Sequence, residues 1–132
     1  MWPFRRQSLP GRRGEKLAAR YLRRRGCKIL ARNYRCPAGE ADIIVLDLST
    51  RKEFGAESIA FVEVKTKATD EYVDPESAVN RRKRRRLTRV AEYYLAHHDA
   101  GERRVRFDVV AVVAPAGGRP EVRHIIDAFG PS

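Results

Sequence analysis

Apolar residues recur along this chain with two different periods, and the switches between them mark out the elements. From about Gly11 to Arg25, Leu17, Ala18, Tyr21 and Leu22 form one stripe at helical spacing. Arg23, Arg24 and Arg25 fall in the last turn, where cations suit the helix dipole, and Gly26 is placed to end the helix. Three strands are then predicted, Cys27 to Tyr34, Glu40 to Leu48 and about Ile59 to Thr66. A Pro/Gly turn (Arg35 to Gly39) and a polar loop (Ser49 to Ser58) separate them. Short connections of this kind predict an antiparallel meander. After a loop at about Ala68 to Pro75, Leu87, Val90, Ala91, Tyr94 and Leu95 predict a second helix from about Glu76 to His97. Val105 to Val113 reads as a strong strand. Because a long helix precedes it, it is expected to join the sheet parallel to an earlier strand. A turn at Pro115 to Pro120 leads to a last strand, Glu121 to Phe129. The order α-β-β-β-α-β-β predicts one α/β domain with a mixed central sheet flanked by helices, spanning residues 11–132 behind a flexible basic lead of residues 1–10.

Within these strands, charged residues stand where apolar ones are expected. Glu63 and Lys65 lie two apart in Phe61-Val62-Glu63-Val64-Lys65 and so share a face. Asp42 interrupts Gly39-Glu40-Ala41-Asp42-Ile43-Ile44-Val45, where alternation sets it with Ile44 and Leu46, opposite Ala41, Ile43 and Val45. Burying these groups costs free energy unless each finds a partner. Two readings fit the residues. One is an Asp42–Lys65–Glu63 ion network that fixes strand register. The other is a divalent metal between Asp42 and Glu63, which relieves their repulsion. Oxygen ligands without a Cys or His cluster point to Mg²⁺ or Mn²⁺, which would polarise a phosphodiester while Lys65 acts on the attacking water. Glu15 shares the core-facing side of the first helix; it is either a first-turn acid offsetting the dipole or a further member of that site. Asp108 is a third in-strand acid, expected to pair with Arg106. His97, His98 and His124 are scattered and read as structural or exposed.

Charge changes the picture next. The chain has 132 residues and a formal net charge of +11, which favours a polyanionic partner. The excess concentrates in Arg81, Arg82, Lys83, Arg84, Arg85, Arg86 and Arg89 at the start of the second helix. Like charges at i, i+4 repel there unless a polyanion meets them. Arg81, Arg82, Arg85, Arg86 and Arg89 are candidates for phosphate contact, and Lys83 projects along the Leu87 and Tyr94 stripe toward the sheet. Cys27 and Cys36 lack metal-ligand spacing and read as free thiols of a reduced compartment. With no signal-like or membrane-length apolar run, a cytoplasmic location and no membrane partner are expected.

Gly14-Glu15 with Ala18, Asn33-Tyr34-Arg35, Gly39-Glu40-x-Asp42, Phe61-Val62-Glu63-Val64-Lys65, Lys83 and Arg106-Phe107-Asp108-Val109-Val110 together resemble the YraN-like family of bacterial proteins. That family is similar to the restriction-endonuclease-like superfamily, including Holliday junction resolvases. The resemblance implies a restriction-endonuclease-like fold and a nuclease site in which Asp42, Glu63 and Lys65 are the acid…acid-x-Lys motif, with Asp42, Glu63 and the Val64 carbonyl on a metal, Lys65 acting on the attacking water, and Glu15 as the helix-borne acid. Ala41 stands where the wider superfamily commonly has a proline, a position without chemistry. The expected activity is metal-dependent cleavage of nucleic acid, DNA ahead of RNA and branched forms among the candidates, with a homodimer by analogy. A non-catalytic nucleic-acid-binding module and a basic adaptor for an acidic protein are the alternatives.

Overall fold

A computed structural model describes residues 3–67, 80–113 and 118–132. It contains α1 (Pro3–Arg24), β1 (Cys27–Cys36), β2 (Gly39–Asp47), the short α2 (Arg51–Phe54), β3 (Ser58–Lys67), α3 (Arg81–His97), β4 (Val105–Val113) and β5 (Glu121–Phe129). The five strands form one sheet in the order β1-β2-β3-β4-β5. β1, β2 and β3 are the antiparallel meander, β3 and β4 run parallel across the α3 connection, and β5 returns antiparallel. The mixed α/β architecture is therefore the one the apolar periods predict.

Each sheet face is covered by one helix. Ala18, Ala19 and Leu22 of α1 pack on Ile43, Val45, Ala60, Val62, Val110 and Val112. Leu87, Val90, Ala91 and Tyr94 of α3 pack on Ile44, Phe61, Phe107, Val109 and Phe129. Fully burying one such side chain contributes about 1.5–3 kcal/mol. The small residues Ala18 and Ala19 let α1 lie close to the sheet. At Gly14 the approach is closer still, because a Cβ there would run into the Thr66 side chain. Gly14→Val is therefore expected to lift α1 off β3 and lower the melting temperature by several degrees, measurable by circular dichroism. An unchanged melt would show that α1 can slide without cost.

Several expected boundaries move. α1 begins at Pro3 rather than near Gly11. Proline suits a first helical position because it has no N–H to leave unpaired. At its other end Gly26, at φ 101, closes α1 as expected. The loop after β2 is shaped by Asp47, whose carboxylate accepts from the Ser49 N–H at 3.0 Å, and by Thr50, whose hydroxyl bonds the Asp47 carbonyl at 3.0 Å. α3 starts at Arg81 because Asn80 caps it: the Asn80 side chain accepts from the Lys83 N–H at 3.0 Å. The expected loop at Ala68 to Pro75, the helix start at Glu76 and most of the Pro115 turn lie outside the described residues.

Strict alternation on β2 also fails once. Ala41 packs with Ile44 on the α3 face, not with Ile43 and Val45. Opposite this step Asn33 has φ 52, between the pairs Arg32–Ile43 and Tyr34–Ala41. Ala41 packs on the same side as its β1 partner Tyr34.

A buried ionic network lies beneath the α1 face. Arg106 Nη2 donates to Asp47 Oδ2 at 2.7 Å, and Arg106 Nε donates to Asp108 Oδ1 at 3.0 Å. His124 Nε2 lies 2.8 Å from Asp108 Oδ2, and the Asp127 N–H donates to Asp108 Oδ1 at 3.0 Å. Asp47 and Asp108 are fully buried, and the Arg106 side chain is 4% exposed. Burial pushes both carboxyls up. Hydrogen bonds from Ser49 and Arg106 to Asp47, and from His124, Arg106 and the Asp127 amide to Asp108, more than offset it, and both end below the ordinary carboxylate range. The expected Arg106–Asp108 pair is present. Asp47 and His124 join it through the fold.

Candidate active site

The β2–β3 ladder stops at the pair Ile43–Val62. One residue further on, the Asp42 carboxylate rather than a main-chain carbonyl takes the Val64 N–H, at 2.8 Å. Val62 and Val64 are still paired to β4 on the other side, so β3 stays anchored while its link to β2 opens. The opening seats Asp42 and Glu63 in the mouth of a cleft of about 640 Å³. Its remaining walls come from Arg35 near the end of β1, from the β1–β2 turn, Cys36 to Glu40, and from Lys83, Arg86 and Leu87 of α3.

The acids crowd one another. Burial, then the charge of Glu63, push the Asp42 carboxyl up to about 7; the Val64 amide opposes this, while Glu15 and Glu40 add to it. Burial also raises Glu63, against the opposing charges of Lys65 and Lys83. Lys65 Nζ lies 3.7 Å from Glu63 Oε2. Burial and the adjacent Lys83 ammonium lower the Lys65 pKa. Partly buried groups of both signs thus stand in mutual conflict, an arrangement typical of sites built for a ligand rather than for stability.

Of the four candidate site residues, Asp42 and Glu63 line the cleft, and Lys65 stands beside Glu63 without lining it. Glu15 does not line the cleft; its charge reaches Asp42 from α1, whose position on β3 is set at Gly14 and Thr66. Of the α3 cations, Lys83 and Arg86 line the cleft. Arg81, Arg82, Arg85 and Arg89 are exposed. Arg84 lies over the Phe129 ring at 5.1 Å. The fit between Gly39 and Arg86 has no signature in the sequence. Gly39 has φ 140, and a Cβ there would stand 2.8 Å from the Arg86 Cγ and Cδ atoms. A turn glycine and a helix arginine 47 positions apart in sequence carry no shared local signal.

The donors available to a metal are oxygens: the Asp42 and Glu63 carboxylates and the Val64 main chain between Glu63 and Lys65. Among the described residues no three Asp, Glu, His or Cys side chains form a ready chelating group. That donor set suits Mg²⁺, which commonly binds one or two carboxylates and completes its shell with water and phosphate oxygens. It does not suit a structural zinc site. Among the described residues no helix is long and apolar enough to cross a membrane.

Residues 14–112 match the family described as Uncharacterised protein family UPF0102. A UPF0102 protein of Beutenbergia cavernae is 42% identical over 115 residues, covering 87% of this chain and 91% of that protein. One from Nocardia farcinica is 43% identical over 119 residues, covering 90% and 87%. One from Pelobacter propionicus is 38% identical over 119 residues, covering 90% and 81%.

Proposed function

The chain belongs to Uncharacterised protein family UPF0102, whose matched span takes in the whole cleft, and we propose that it is a metal-dependent endonuclease acting on nucleic-acid phosphodiesters. The observation that carries this reading is the split ladder. It sets Asp42 and Glu63 side by side with Lys65, at a cost to folding that a bound cation would remove. The acid…acid-x-Lys order on adjacent strands of a mixed sheet supports a restriction-endonuclease-like assignment.

Asp42, Glu63 and the Val64 carbonyl would hold Mg²⁺ or Mn²⁺. The ion would supply charge neutralisation and polarisation at a phosphodiester oxygen. Lys65, kept beside Glu63, would donate a hydrogen bond to the attacking water or to the phosphoryl oxygens as charge builds on them. Glu15 would orient the water from the α1 side. The exposed α3 arginines would bring the backbone in by charge. DNA is the proposed substrate, with branched forms included.

The test is a cleavage assay on duplex, single-stranded, flap and four-way DNA and on RNA, with Mg²⁺, Mn²⁺ or chelator. Metal-dependent cutting of at least one form is expected, and chelator should abolish it. Folded protein that cuts none of them would falsify the enzymatic reading. The exposed Arg81, Arg82, Arg85 and Arg89 favour the non-catalytic module as the second reading, which predicts salt-sensitive binding without turnover.

A further inference from the structure

We propose that Lys83 and Arg86 form a two-phosphate clamp, Lys83 taking the reacting phosphate and Arg86 its neighbour on the same strand. The proposal rests on the nuclease reading for the identity of its ligand, a nucleic-acid strand. Its binding test stands apart from turnover.

The cleft lining sorts the cations of α3. Of these, Lys83 (half-buried) and Arg86 (exposed) line the cleft, and Arg82, Arg85 and Arg89 do not. Lys83 works at the acid end, where it lines the cleft together with Asp42 and Glu63. An ammonium in that lining can donate charge-assisted hydrogen bonds to a phosphodiester that enters the cleft.

Arg86 is held by a different device. The β1–β2 turn closes on its aliphatic stem at Gly39, where the missing Cβ leaves just enough space. A stem seated against backbone loses little freedom when its guanidinium binds a ligand, so the contact pre-organises a planar donor fork for phosphate. Along the helix axis the two residues are about 4.5 Å apart. Successive phosphates of one duplex strand advance about 3.4 Å along the axis. Long side chains absorb that difference. Arg35 also lines the cleft but is bound to Glu40 at 3.0 Å, so it stays outside the clamp.

Binding of a labelled oligonucleotide to the full chain in chelator, measured by fluorescence anisotropy across a salt series, tests the clamp. Lys83→Gln and Arg86→Gln should each reduce the salt slope by about 1. Each should weaken binding at low salt by about tenfold. Lys52→Gln removes a charge from exposed α2, away from the cleft, and should keep the wild-type slope. Gly39→Ala removes no charge yet should reproduce the Arg86→Gln slope. Should Gly39→Ala fail to melt cooperatively, Arg86→Gln alone decides the Arg86 half of the clamp. In turnover with metal, Lys83→Gln should lower kcat and Arg86→Gln should mainly raise KM. Wild-type slopes in both glutamine variants, or an equal loss in Lys52→Gln, overturn the clamp. Wild-type protein that binds with these slopes but cuts nothing leaves the clamp standing and removes the hydrolytic reading. Cutting by wild type, with slope and KM unchanged in both variants, does the reverse. A wild-type protein that fails to bind at low salt overturns both.

Discussion

Asp42→Asn protein is expected to cleave at least roughly a thousandfold more slowly than wild type, and to melt at a higher temperature in metal-free buffer at neutral pH. The two effects share one cause. The folded Asp42 carboxyl titrates at about 7 against an ordinary value of 3.8. Between those values the folded state holds a proton that the unfolded chain has released, so stability falls as pH rises through the window. Above about 7 the whole cost is present, on the order of a few kcal/mol without a metal. Asparagine keeps an oxygen for the Val64 N–H and removes the charge, which trades activity for stability. Adding Mg²⁺ should raise the wild-type melting temperature at pH 8 and leave the variant where it was. Thermal melts from pH 5 to 8, with and without metal, read both halves. A variant that melts no higher than wild type above pH 7 means the acids are not in conflict, and the case for a cation between them fails.

The second large effect concerns folding alone. Arg106→Leu leaves Asp47 and Asp108 in the interior, both fully buried, without the guanidinium that joins them. Breaking a buried ion network from one side costs about 3–5 kcal/mol, a large share of the roughly 5–15 kcal/mol that holds a domain folded. The expected drop in melting temperature is about 10 °C or more. The same network sets the acid limit. Both folded carboxyls titrate below 3.8, so their contribution is complete above that value and is lost as pH falls through their lower folded values. Urea titrations of wild type should therefore show stability dropping steeply below about pH 4, the opposite slope to that of Asp42. Arg106→Leu protein melting within a degree or two of wild type would contradict this role.

What could be read from residues alone divides along physical lines. β4 and β5 fall where short runs of apolar and β-branched residues place them, because such runs are local signals. Glu63 and Lys65 were visible because charges within an apolar strand demand partners. The Arg106–Asp108 pair was visible because it spans two residues on one face. Asp47 was not: a polar residue at a strand end, before a polar loop, looks solvated. Its partner Arg106 lies 59 residues away and only the sheet brings them together. The start of α1 at Pro3 was hidden by a segment with little apolar periodicity. The shift of Ala41 to the α3 face accompanies a single left-handed residue, Asn33, on the neighbouring strand. Neither residue type at that position announces it.

The hydrogen bond from the Val64 amide to Asp42 also makes one main-chain proton a reporter of the cleft. Most amides of β3 are guarded by ladder partners and exchange with solvent only when the sheet opens. The Val64 proton is guarded by a side chain whose charge changes with pH and with ligand. Its exchange rate and chemical shift should therefore follow metal titration and acidification residue-specifically, while neighbouring strand amides stay still. Occupancy of the site would thus be readable in solution without a substrate or a single cleaved bond.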